Sequence, residues 1–200
     1  MKLYHCKQSR SCRVLWLLEE LGLEYEIETI PFDPNALKSV DYLALNPFGK
    51  VPVFVDGSLI MFESVAIVQY LLEHHADGRF EPPRRSADYG LFLQWMHFGE
   101  STLMGPVSDL ANHSALLPES ERNPAVAKQA LRGVKHYLDI LSDTFAQHDY
   151  LVGNEFTAAD IVVGYTLHVA KTYGALADQP RITDYYERLA ARPAFVKAMS

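Results

Sequence analysis

The chain has 200 residues, 48% of them hydrophobic and 22% charged, with a formal net charge of −7 and a pI near 5.6. That is ordinary globular composition for one large or two small domains, and it speaks against a nucleic-acid binder, which carries a basic face. No apolar run reaches the length of a membrane span, no apolar leader follows Met1, and Cys6 and Cys12 are too few and wrongly spaced for a disulfide scaffold, so no membrane partner and a cytoplasmic location are expected. The eight histidines show no ligand spacing such as HExxH, and no metal is expected.

In chain order, residues 2–6 read as a short strand and 7–10 as a polar loop. Val14, Leu17, Leu18 and Leu21 recur at helical spacing, and Gly22 stops the helix. Tyr25, Ile27 and Thr29 alternate with Glu24, Glu26 and Glu28, the pattern of a strand with one wet face. Strand, helix, strand implies a parallel crossover. Residues 31–45 are expected to be a loop with a short helix. Asn46-Pro47-Phe48-Gly49 is a turn, and the apolar runs 53–55 and 59–62 flank Asp56-Gly57, a hairpin signal. Pro52 cannot donate to a ladder and belongs at the strand start. It keeps Val51 extended, and a cis bond is expected there, which would turn the Val51 amide and carbonyl outward as an edge for a peptide backbone. Ser64, just before the periodic run Val65, Val68, Leu71 and Leu72, reads as the N-cap or first-turn residue of a helix over 64–75. A helix start offers amide donors to an anion. A docking edge beside an anion cradle describes a site for a small anionic peptide. The order of elements up to residue 77 is thioredoxin-like.

Residues 78–86, with Gly78, Pro82 and Pro83, read as a linker. Everything after it, 87–200, is expected to be helical. Phe92, Trp95, Met96, Gly99, Leu103, Val107 and Leu110 make one stripe of a long helix, with a bend expected near Gly105-Pro106. Asn123-Pro124 opens the next helix, whose stripe is Ala127, Leu131, Val134, Leu138, Leu141 and Phe145. Further helices fit 158–173, 182–189 and 193 onward. The expected fold class is thus α/β plus all-α: a thioredoxin-like domain over 1–77, then a helical domain.

Asn46-Pro47-Phe48-Gly49-Lys50-Val51-Pro52 with Phe62-Glu63-Ser64, on such a half followed by a helical half, resembles the cytosolic glutathione S-transferases over essentially the whole chain. The segment from Arg10 to Gly22 is similar to the first helix of many bacterial members. The resemblance implies glutathione as co-substrate: Val51 pairing main chain to main chain beside Pro52, Glu63 accepting from the γ-glutamyl ammonium, Ser64 donating to its carboxylate, and Lys50 facing the glycyl carboxylate. It also implies a pocket for a small electrophilic second substrate, to which the helical domain contributes, and a homodimer with a twofold interface. Phe156-Thr157-Ala158-Ala159-Asp160-Ile161 looks like the capping box and staple of the family's sixth helix, with Phe156 meeting Ile161. That keeps Asp160 out of the active site.

The chemistry implied needs a thiolate, and a cysteine thiol has a pKa of about 8.5. A hydroxyl donor and a helix N-terminus aimed at the sulfur favour the charged form. Ser9 lies in the loop after the first strand and matches the catalytic position of the serine-type classes, with Cys12 and Arg13 in matching places; its bland alternative is to cap the first helix. Ser11, nearer the helix start, is the second candidate, with capping its simpler job. Arg10 stands about where some bacterial members carry a cysteine, which argues against mixed-disulfide chemistry there. Tyr4 is a weaker donor and Cys6 a packing residue. Trp95, His97, Phe98, Ser101, Thr102, Met104 and Tyr165 are candidates to line the second-substrate pocket, core packing being the common alternative for aromatics at helical spacing. The reading is a transferase joining the glutathione sulfur to an electrophile. Its rivals are a glutathione-dependent peroxidase or disulfide reductase, where Cys12 would matter, and a non-catalytic binding module.

Overall fold

Alternation along the first strand, β1 (Lys2–His5), buries Leu3 and His5 and leaves Lys2 and Tyr4 half-covered. The structure, a computed structural model, describes residues 1–200 apart from the side chain of residue 34. After β1 come α1 (Ser11–Leu21), β2 (Glu26–Thr29), the short helices α2 (Pro34–Leu37) and α3 (Val40–Leu45), the hairpin β3 (Val53–Asp56) and β4 (Leu59–Met61), and α4 (Ser64–His75). The sheet order is β2-β1-β3-β4, with β1 and β2 parallel and the other pairs antiparallel. This is the thioredoxin-like arrangement expected from the sequence.

Two details differ. All four residues of β2 are exposed, not one face only, because β2 is an edge strand and Ile27 has no covering layer. Asp56 belongs to β3 and pairs with Leu59, so the two-residue turn is Gly57-Ser58. Gly57 has φ +58°, which a glycine adopts at little cost. Gly22 ends α1 at φ +67°, as expected.

Helix α1 is buried nearly all round: nine of its eleven residues, Ser11 to Leu18 and Leu21, are covered. One covering element comes from far along the chain. Helix α10 (Pro193–Met199) groups with residues 1–79: the compact units are Met1–Arg79 with Arg192–Ser200, and Phe80–Ala191. The Phe195 ring meets Trp16 edge-on at 4.9 Å, and the Arg192 guanidinium donates to both oxygens of Glu20 at 2.6 and 2.7 Å. The expected division at 77 and 87, with everything to residue 200 in the second domain, therefore misplaces the last helix.

The second unit holds α5 (Ala87–His97), α6 (Met104–Ala111), α7 (Pro124–Thr144), α8 (Ala158–Thr172) and α9 (Pro180–Ala190). Ten consecutive residues of α8, Ala158 to Leu167, are buried, so it is the central helix. The break between α5 and α6 is a π-helical turn, Phe98–Thr102, and not a kink at Gly105-Pro106. Pro106 falls in the first turn of α6, where amides have no intrahelical acceptor and a proline costs little. At Gly99 an added Cβ would lie 2.9 Å from Val162, and Thr166 Oγ1 donates to the Gly99 carbonyl at 3.0 Å. Asn123 caps α7, accepting from the Ala125 amide at 3.0 Å. No helix of the described residues is long and apolar enough to cross a membrane.

Candidate functional site

The loop from β1 into α1 carries a tight polar cluster. Ser9 Oγ lies 2.7 Å from the Cys6 carbonyl oxygen and 2.7 Å from Ser11 Oγ, and it accepts from the Ser11 amide at 3.3 Å. Ser11 Oγ lies 2.8 Å from His5 Nδ1 and accepts from the Cys6 amide at 3.1 Å. Ser9 is half-buried, whereas Ser11 has no exposed surface at all. Helix-capping was the expected job for Ser11, but its side chain turns back toward β1. The N-cap position belongs to Arg10, which makes no side-chain cap. Full burial also removes Ser11 as a direct donor to any ligand. Ser9 remains.

The same helix reaches the second motif. Arg13 is fully buried, and its Nη1 donates to Ser64 Oγ at 3.1 Å. Ser64 is the first residue of α4, and its own proton is left to donate elsewhere. Glu63, exposed, precedes it at φ +73° and ψ +104°, a region non-glycine residues rarely occupy; such strain costs on the order of 1–3 kcal/mol and gathers at ligand clamps. The Val51-Pro52 bond is cis, as expected. The Lys50 side chain is exposed, and its carbonyl accepts from Tyr42 Oη at 2.8 Å and Asn46 Nδ2 at 2.6 Å, which fixes the loop ahead of Val51. Gly49, at φ +60°, passes so close that a Cβ would sit 2.8 Å from the Leu37 carbonyl. Tyr4 packs edge-on against Tyr42 at 6.2 Å.

Burial sets the protonation of this region. It pushes the Cys12 thiol up to about 11 and the Cys6 thiol upward as well, so both stay protonated near neutrality. Burial, helped by the Lys7 charge, holds His5 below its ordinary value, so the ring is neutral there. Sequence reasoning passed over His5, though its place two residues from Leu3 on the inward face of β1 was a signal. It also gave no role to Arg13, a charge inside an apolar helix seam.

The pocket candidates lie apart from one another in kind. His97 and Ser101 are exposed and Phe98 half-buried, its ring edge-on to Trp95 at 5.3 Å. Met104 and Tyr165 are 3% exposed each, which makes them core residues of the helical unit rather than lining. A groove of about 480 Å³ in that unit is lined by Asp88, Leu91, Trp95, Gln147, His148 and Leu151, among others. Asp160 is buried and accepts from the Leu151 and Thr157 amides, Thr157 Oγ1 and Tyr185 Oη at 2.8–3.0 Å, the expected capping box extended by a tyrosine. Phe80 and Tyr150 each pack edge-on against the Phe156 ring, at 5.8 Å.

Family models described as glutathione S-transferase N-terminal domain and C-terminal domain match residues 1–73 and 106–193. The chain belongs to the glutathione S-transferase family. It is 32% identical over 210 residues to glutathione S-transferase F13 of Arabidopsis thaliana, covering 98% of this chain and 94% of that protein. Glutathione S-transferase 3 of Zea mays is 31% identical over 207 residues, covering 100% and 93%. Among solved structures, a sphingomonad glutathione S-transferase complexed with glutathione superposes with a TM-score of 0.85 at 26% identity, covering 100% of this chain and 97% of that one. Among the described residues of this transferase, no group of three or more His, Cys, Asp or Glu could hold a metal ion.

Proposed function

We propose that this transferase binds glutathione in the first unit and joins its sulfur to a small electrophile, with Ser9 as the donor that holds the sulfur ionised. The observation that carries this reading is the Arg13–Ser64 bond, which ties the helix that follows the Ser9 loop to the helix start proposed to receive the γ-glutamyl carboxylate. The amides at the start of α4 and the Ser64 hydroxyl suit that carboxylate. Glu63, held in a strained turn, suits the ammonium, Lys50 the glycyl carboxylate, and Val51, beside Pro52, the cysteinyl main chain. The thiol proton leaves to solvent, and the Ser9 hydroxyl donates to the thiolate. The thiolate forms a carbon–sulfur bond as the leaving group departs with its electron pair.

The cysteine-based reductase reading is less well supported, since Cys12 has no exposed surface and is held protonated. The separating experiment uses an activated aryl halide and a mixed disulfide as alternative substrates. Loss of conjugation in Ser9→Ala with Cys12→Ala unaffected is the expected result. Loss of disulfide reduction in Cys12→Ala, with conjugation absent throughout, would overturn the reading.

A further inference from the structure

The cluster around Ser9 contains three short contacts and only two hydroxyl protons to fill them. Ser9 Oγ to the Cys6 carbonyl is 2.7 Å, Ser9 Oγ to Ser11 Oγ is 2.7 Å, and Ser11 Oγ to His5 Nδ1 is 2.8 Å. A carbonyl oxygen only accepts, so the first contact uses the Ser9 proton. The second must then use the Ser11 proton. The third is left for a proton on His5 Nδ1. With this assignment every position is used once: Ser11 Oγ accepts from His5 and from the Cys6 amide at 3.1 Å, and Ser9 Oγ accepts from Ser11 Oγ and from the Ser11 amide at 3.3 Å. The 3.0 Å approach of Ser11 Oγ to the Cys6 carbonyl is the one contact that stays without a proton. The opposite tautomer, with a lone pair on Nδ1, would take the Ser11 proton and leave either the 2.7 Å oxygen–oxygen contact or the Cys6 carbonyl contact empty.

We propose that His5 is a positioning residue: its Nδ1–H, relayed through the buried Ser11 hydroxyl, fills the acceptor side of Ser9 and leaves the Ser9 proton as the only thing that side chain can offer to a sulfur. The inference rests on the reading of Ser9 as the thiolate's donor. The direction of the relay matters because hydrogen bonds in a chain polarise one another, so a hydroxyl that accepts is a better donor. Only Ser9 has surface to reach a ligand, and its proton needs only to turn from the Cys6 carbonyl to the incoming sulfur. His5 itself is 6% exposed and neutral near pH 7, so the relay adds a fixed donor without bringing a charge that would have to be neutralised.

Two measurements test it. In the unmodified protein, nitrogen-15 NMR of labelled histidine reads the tautomer directly. A proton on His5 Nδ1 is expected, and a lone pair there overturns the relay whatever any variant does. Second, the ultraviolet absorbance of the thiolate gives the pKa of bound glutathione against pH. His5→Leu should raise that pKa by about one unit, a tenfold weaker acid constant for the bound thiol, and His5→Asn, which keeps an N–H near the Nδ1 position, should restore most of it. Ser11→Ala should match His5→Leu, and the double variant should add nothing. An unchanged pKa in a folded His5→Leu overturns the relay alone if Ser9→Ala shifts the value. If Ser9→Ala also leaves it unchanged, the underlying reading of Ser9 falls as well.

Discussion

Two helix starts in this transferase bury polar side chains, and they do so to different ends. At the start of α8, Asp160 collects four donors, three of them from within nine residues of it and the fourth from Tyr185. That network is closed: its carboxylate, raised by burial, is surrounded by partners and shows no surface. At the start of α1 the side chains turn away from their own helix, Ser11 to β1 and Arg13 to α4, and the network ends on a half-exposed hydroxyl. The lesson is that a buried polar cluster marks chemistry only when one end reaches solvent; when every end is covered, it is architecture.

The contrast breaks most visibly at Asp160. Replacing it with alanine strands two amides and the Tyr185 hydroxyl in the interior, and stability to urea should fall by about 3–5 kcal/mol. Folded molecules that survive should still bind glutathione, as calorimetry would show. Ser9→Ala should behave in reverse: conjugation kcat/KM at neutral pH should drop about 100-fold, the usual cost of one donor to a developing or held charge, with urea stability almost unchanged. A loss of stability at Ser9, or of glutathione affinity at Asp160, would erase the distinction between the two sites.

Cys12 sharpens the comparison from the alkaline side. Its thiol titrates near 11 when folded and nearer its ordinary value when unfolded, so the folded form holds the proton longer. Its contribution is therefore complete below about pH 8.5 and is lost as pH rises toward 11, at most about 3 kcal/mol. Cys12→Ala should flatten the alkaline limb of a stability–pH curve. A curve equally steep without the thiol would mean that other groups dominate there. The smallest effect is expected at Thr157→Ala, about 1 kcal/mol for loss of a cap, with no change in conjugation.

What the sequence made legible was local. Gly22, the Gly57 turn, Asn123 before Pro124 and the Thr157–Asp160 box are each decided within a few residues, by a positive φ or a short side chain meeting a nearby amide. What escaped it is set by how the chain folds back on itself. The inward turn of Ser11 depends on His5 lying across the loop on β1, and the partner of Arg13 is 51 residues away. At the π-helical turn Gly99 packs against Val162 and accepts from Thr166, partners more than sixty residues further along the chain. The loop at 46–52 was readable from its prolines and glycine; the hydrogen bonds by which Tyr42 and the Asn46 side chain pin the Lys50 carbonyl were not.

The return of α10 to α1 has a consequence for synthesis. During translation the first 79 residues leave the ribosome well before their last packing partner, and 112 further residues (80 to 191) must be made before Arg192 can meet Glu20. Until then the Trp16 indole lacks the Phe195 ring that covers it, an apolar surface open to chaperones. A chain cut after residue 191 would keep that surface bare for its whole lifetime.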